Sequence, residues 1–220
     1  MLLAKNYGTQ RKKMVRDQIE ARGIRNPRTL AVMQKVERHL FVKPEYLNIA
    51  YRDSPLPINC EQTVSQPYIV ALMTDLLRLT PTSKVLEIGT GCGYQTAILA
   101  ELAGAVYSVE ILPTLAKSAK TRLERLNYRN IYFKEGNGHH GWQEYAPYDA
   151  VLVAAAPKVV PAHLVRQLGE GGRMVIPVGD SEQNLLLIQK KPQLEEGSEP
   201  FLETTEVTGV SFVPMTGSPN

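Results

Sequence analysis

The chain predicts an α/β fold: a doubly wound, mostly parallel sheet preceded by N-terminal helices and finished by antiparallel strands at its C-terminal edge. Three observations carry this. From Lys84 onward, short apolar runs alternate with helical stretches at the spacing of β-α-β units. Two of the runs, Val85-Leu86-Glu87-Ile88 and Val151-Leu152-Val153-Ala154-Ala155, are nearly continuous, as in strands covered on both faces. A turn rich in glycine, Gly89 to Gly93, follows the first of these strands and opens a helix, where such sheets bind ligands.

The elements follow in order. Residues 14–23 read as a helix, with Met14, Val15, Ile19 and Ala21 as its apolar stripe and Gly23 as its stop. Asn26 caps a second helix that Pro27 begins and that turns Leu30, Met33 and Val36 inward. Pro44, Pro55 and Pro57 break any periodicity over residues 41–65, which read as irregular. A third helix runs from Pro67 to about Leu79 on a broad apolar face. Strands are expected at 84–88, 106–110, 131–134, 150–154, 173–178 and 185–189, with helices at 94–103, 113–127 and 161–168. Residues 192–200 read as an exposed loop, and 201–214 as one or two antiparallel edge strands. The whole, residues 1–220, is expected to be one domain, with 1–83 covering a core formed by 84–220.

Composition narrows the class. Hydrophobic residues make up 43% and charged residues 21%, which suits a packed globular protein and excludes a disordered one. No apolar run is long enough to span a bilayer, and the N-terminal apolar stretch is too short for a signal peptide, so a cytoplasmic location and no membrane partner are expected. Cys60 and Cys92 read as reduced thiols, neither has a partner at metal-ligand spacing, and no metal is expected. Residues 1–28 hold eight basic side chains against Asp17 and Glu20, while the remainder carries a net −3. Without interleaved aromatic residues this basic segment reads as a solvated helix face, and no nucleic-acid partner is expected.

The strongest local signal is Glu87-Ile88-Gly89-Thr90-Gly91-Cys92-Gly93-Tyr94. A dinucleotide turn places its third glycine one residue later and sets a pyrophosphate on the helix N-terminus. Here a carboxylate, Glu87, stands inside the motif; it would repel a pyrophosphate and suit a cationic ligand. Glu110 ends the next strand, where an ionised carboxylate can accept both hydroxyls of a ribose. Glu135-Gly136-Asn137-Gly138 follows the third strand and offers a polar contact for a base edge, although such a tetrapeptide alone is also an ordinary turn. Together these point to a nucleoside that bears positive charge and no phosphate, the description of S-adenosylmethionine.

The glycine turn resembles the first motif of the class I, Rossmann-like methyltransferases. A more specific resemblance lies around it: Arg38-His39-Leu40-Phe41-Val42, Tyr51-Arg52-Asp53-Ser54-Pro55-Leu56-Pro57, Gln62-Thr63-Val64-Ser65-Gln66-Pro67, Ala146-Pro147-Tyr148-Asp149 and Phe212-Val213-Pro214. These stretches are similar to the protein-L-isoaspartate O-methyltransferase family. The likeness covers residues 14–217. It implies methyl transfer from S-adenosylmethionine, with S-adenosylhomocysteine as product, to the free α-carboxylate of L-isoaspartyl residues in damaged peptides and proteins. The ester then closes to a succinimide. It implies Ser65 at the reaction centre, and an adenosyl site formed by Val64, Glu87, Gly89, Thr90, Gly91, Gly93, Glu110, Gly136 and Asn137, with Thr216 closing over it. A monomer is expected. The family places glycine where Asn59 and Glu61 stand, and aspartate where Asn137 stands.

The chemistry agrees with the inventory. A carboxylate is already nucleophilic at neutral pH, so no general base is required, and the protein's tasks are alignment and exclusion of water. Ser65 would orient the acceptor with one donated hydrogen bond. Read alone, Ser65 is more readily a helix cap before Pro67, and only the surrounding motif reverses that reading. His139-His140 reads as a turn and not as a metal site. Three other readings stay open on sequence alone: a methyltransferase acting on RNA or a small molecule, a nucleotide-binding protein without catalysis, and an NAD-dependent oxidoreductase.

Overall fold

The computed structural model describes residues 6–191 and 201–218; the expected loop over 192–200 lies outside the described residues. The Asn6 side chain accepts the Thr9 amide and starts helix α1 (Tyr7–Met14). The helical path continues through a π-helical turn (Val15–Ile19) and a 3₁₀ turn (Glu20–Arg22) to Gly23 at φ +98°. It begins seven residues before the apolar stripe, because beyond the buried Met14 the turns of α1 are held by a half-buried Tyr7 stacked on His39. Helix α2 (Pro27–Lys35) opens as its sequence predicts, with the Asn26 side chain accepting from the Arg28 amide.

The stretch read as irregular contains a small hairpin. Strands β1 (Leu56–Pro57) and β2 (Thr63–Val64) pair antiparallel, Leu56 opposite Val64. Helix α3 (Pro67–Leu76) follows and stops short of Leu79, where Arg78 takes φ +51°.

The main sheet comprises β3 (Lys84–Ile88), β4 (Ala105–Glu110), β5 (Ile131–Glu135), β6 (Tyr148–Val153), β7 (Leu168–Gly179), β8 (Gln183–Lys190) and β9 (Leu202–Val210). Its spatial order is β5-β4-β3-β6-β7-β8-β9. The first five are parallel, and β8 and β9 run antiparallel at one edge, as expected. β7 starts earlier than its apolar run because Leu168 pairs with Tyr148 across an irregularity.

Helices α4 (Tyr94–Leu102) and α5 (Pro113–Arg125) connect the strands on one side, joined by α1 to α3 in one large apolar cluster. The opposite face carries α6 (Ala162–Gln167) and two 3₁₀ turns, filled by Trp142, Tyr145 and Tyr148. Leu86, Val151 and Val175 are withdrawn completely from water between these layers. Such residues stabilise the sheet by roughly 1.5–3 kcal/mol each. The chain leaves β3 for β4 on one side and places β6 on the other, so the strand order reverses beside the β3 carboxyl end.

Candidate active site

A cleft opens at that reversal. Gly89 and Gly91 adopt φ +90° and +56°, which lets the chain fold sharply past the end of β3. The Gly89 amide donates to the Val109 carbonyl at 2.8 Å and holds the turn against β4. Glu110 ends β4 and is 5% exposed. Its Oε2 accepts from the Gly91 amide at 2.8 Å and its Oε1 from the Leu112 amide at 3.0 Å. Each oxygen keeps capacity for one more donor, such as a ligand hydroxyl.

Glu87 is placed differently from its expected contact with a cationic ligand. Its carboxyl is fully buried behind the turn, where Oε2 accepts from Thr96 Oγ1 and Ser108 Oγ, each at 2.6 Å. Oε1 has no partner. Along a strand, side chains alternate between faces, so Ile88 reaches the cleft and Glu87 turns toward α4. Burial pushes the Glu87 carboxyl up to about 8; the neighbouring Glu110 charge adds to the rise, and the two hydroxyls oppose it.

Of the residues expected at the adenosyl site, Val64, Gly89, Thr90, Gly91, Glu110 and Thr216 line this cleft, as does Ser65. Glu87, Gly93, Gly136 and Asn137 do not stand on its wall. Gly93 caps α4, and a Cβ there would lie 2.9 Å from Leu123, so this glycine serves helix packing. The Gly136 amide donates to the Glu110 carbonyl and extends the strand ladder. The Asn137 side chain is taken up by the His139 amide and the Ser218 carbonyl. Gly138 reaches the wall instead; a Cβ on it would be 2.3 Å from Ile88 Cγ2.

Ser65 is not a helix cap. Gln66 occupies that position without a side-chain hydrogen bond, and among the described residues the Ser65 hydroxyl has no partner. Ser65 stands with Thr63, Ala154, Phe212 and Val213 where the inner cleft meets a second, outer one. The outer cleft runs between Gln66 and Ile69 on one side and Glu182 to Asn184 on the other. Residues 212–216 form a strap over the inner cleft, held by bonds from the Ala156 amide to the Val213 carbonyl and from the Met215 amide to the Ala156 carbonyl. Sequence reasoning missed the wall residues Tyr94, Ile111 and Met215. Ile111, an apolar residue directly after a strand-end carboxylate, carried a usable signal; the other two depend on tertiary placement.

The wall discriminates between ligands. Among the described residues it bears no Lys, Arg or His, and its one carboxylate is Glu110. A pyrophosphate would find no counter-charge there, whereas a ribose-bearing cation between apolar walls fits.

The glycine turn at the strand reversal and this phosphate-averse, ribose-competent cleft define a class I methyltransferase site built for S-adenosylmethionine. The family model for protein-L-isoaspartate(D-aspartate) O-methyltransferase matches residues 9–220. A protein-L-isoaspartate O-methyltransferase from Picosynechococcus sp. is 52% identical over 207 residues, covering 94% of this chain and 90% of that protein. A solved protein-L-isoaspartate O-methyltransferase superposes with a TM-score of 0.83 at 29% identity, over 94% of this chain and 66% of the other. A Plasmodium falciparum structure in complex with S-adenosyl-L-homocysteine shares the fold, with a TM-score of 0.79 at 24% identity, over 94% of this chain and 98% of its own. The chain belongs to the protein-L-isoaspartate(D-aspartate) O-methyltransferase family. It is an S-adenosylmethionine-dependent enzyme that methylates isoaspartyl residues of proteins and initiates their repair, which sets aside an RNA or small-molecule acceptor.

Proposed function

We propose that the inner cleft holds the donor and the outer cleft admits the damaged polypeptide, with Ser65 as the catalytic residue where they meet. One observation carries this reading: a serine hydroxyl without a partner among the described residues stands at the junction of the two clefts. Glu110 receives the ribose hydroxyls, and Val64 and the Gly89–Gly91 turn flank the adenosyl group. Thr216 closes the strap end. Gly136 and Asn137 serve the site at one remove, Asn137 by tying the strap through the Ser218 carbonyl. Residues 1–83 act as the cover that delivers Ser65, and 84–220 as the core that holds the donor.

When bound, the donor supplies a methyl group on a positively charged sulfur with a neutral thioether as leaving group. The chain's own residues do the rest. Ser65 donates one hydrogen bond to one oxygen of the free α-carboxylate and leaves the other oxygen available for attack. The apolar walls, among them Ile88, Ile111 and Met215, keep water out, which favours a step in which opposite charges are neutralised.

The test uses labelled S-adenosylmethionine with an isoaspartyl peptide or its normal aspartyl twin. A base-labile methyl ester is expected on the first alone. Ser65→Ala should slow turnover by about 10- to 100-fold, the value of one hydrogen bond to a charged group, with donor affinity within about twofold. Unchanged turnover, or a parallel loss of donor affinity, rules out this role for Ser65.

A further inference from the structure

Arg38 lies in the 3₁₀ turn Arg38–Leu40 and heads the fully buried side chains in size, at 0% exposure. A guanidinium in a protein interior is ordinarily paired with a carboxylate. Among the described residues Arg38 forms no such pair. Its partners are three main-chain carbonyls: Ala50 at 2.7 Å, Ser54 at 3.3 Å and Ser65 at 2.9 Å. Nε has no partner, and Cζ stands 5.6 Å from the centre of the Tyr94 ring, itself on the inner cleft wall.

The carbonyls belong to the two ends of one excursion. Ala50 and Ser54 lie where the chain departs toward the hairpin, and Ser65 where it returns to α3. A planar fork with fixed donor directions can pinch both ends at once; a lysine ammonium, a single point on a flexible stem, cannot hold the same geometry. The grip is on the Ser65 carbonyl, so the backbone of that residue is fixed while its hydroxyl stays free. Among the described residues neither cleft has a Lys, Arg or His on its wall, and the Arg38 guanidinium reaches the junction only through the Ser65 carbonyl that it holds.

We infer that Arg38 is a positioning residue for methyl transfer, acting through Ser65 by holding its carbonyl. This rests on the role proposed for Ser65. Arg38→Lys keeps the charge and loses the fork; Arg38→Met loses both. Each should lower kcat by about tenfold or more while donor affinity, which also reports folding, stays within about twofold. The double variant Ser65→Ala/Arg38→Met should be no slower than the slower single, because without the hydroxyl there is nothing left to position. In Arg38→Ala, guanidinium at millimolar concentration should restore part of the lost rate, and methylammonium should not.

Wild-type kcat in Arg38→Lys overturns the inference. So do effects of Ser65→Ala and Arg38→Met that multiply, and so does donor affinity that falls in step with rate. A silent Ser65→Ala sinks the underlying reading of Ser65. A slow Ser65→Ala beside silent Arg38 variants sinks only the role given to Arg38.

Discussion

Glu87 and Glu110 are both carboxylates near strand ends, and their surroundings separate them. Glu110 receives two backbone amides and faces the cleft. Glu87 receives two hydroxyls, has one oxygen without a partner and sees no solvent. Between its ordinary range and about 8, the folded chain keeps a proton on Glu87 that the unfolded chain releases. The contribution of Glu87 to the stability of the donor-free protein is therefore fully present below the ordinary carboxylate range and declines as pH rises toward 8, with a slope of at most about 1.4 kcal/mol per pH unit. Glu87→Gln should flatten that decline in urea unfolding between pH 5.5 and 8; equal slopes in both proteins would show that Glu87 ionises freely. The sequence disclosed the acidic residue and its motif. It did not disclose that Thr96 and Ser108, from α4 and β4, enclose it.

At the scale of elements, the hairpin is the instructive case. Cys60 and Glu61 both adopt left-handed backbone, at φ 57° and 56°, which is the conformation of a tight two-residue hairpin turn and is unfavourable for side chains with a Cβ. The turn is nevertheless closed, with the Ile58 amide 2.8 Å from the Gln62 carbonyl and the Gln62 amide 3.2 Å from the Asn59 carbonyl. Glutamate where the family places glycine thus leaves the path toward Ser65 in place and loads the turn. Glu61→Gly should raise stability by about 0.5–1 kcal/mol, the relief of left-handed strain less the added freedom of the unfolded chain. A higher urea midpoint at constant slope is the expected result; an unchanged or lower midpoint would show that the turn carries no strain. Two-residue strands flanked by prolines show no alternation, so this hairpin was invisible in the sequence, whereas the parallel strands announced themselves as apolar runs.

At the scale of the molecule, the donor site draws on the cover, the β3 and β4 ends and the C-terminal strap. Binding to such a composite site stabilises the fold by mass action. S-adenosylmethionine at 100 times its Kd should add about 2.7 kcal/mol, which for a chain of this size raises Tm by about 5–10 °C. NAD at the same concentration should leave Tm where it is, because the third glycine of the turn comes one residue early for a dinucleotide and, among the described residues, the cleft wall has no cation to balance a pyrophosphate. A melting shift with NAD and none with S-adenosylmethionine would contradict the site as described.

The amino-acid sequence by itself determined the sheet, the turn at its reversal and the strand-end Glu110, because apolar runs, glycine spacing and a carboxylate after a strand are local properties of neighbouring residues. Tertiary structure alone decided that Glu87 is hidden, that Gly138 and the strap reach the cleft, and that Arg38 grips the backbone behind Ser65. Each of those outcomes depends on which distant groups share one small volume, and burial, hydrogen-bond partners and pKa are set there by three-dimensional neighbours and not by sequence neighbours.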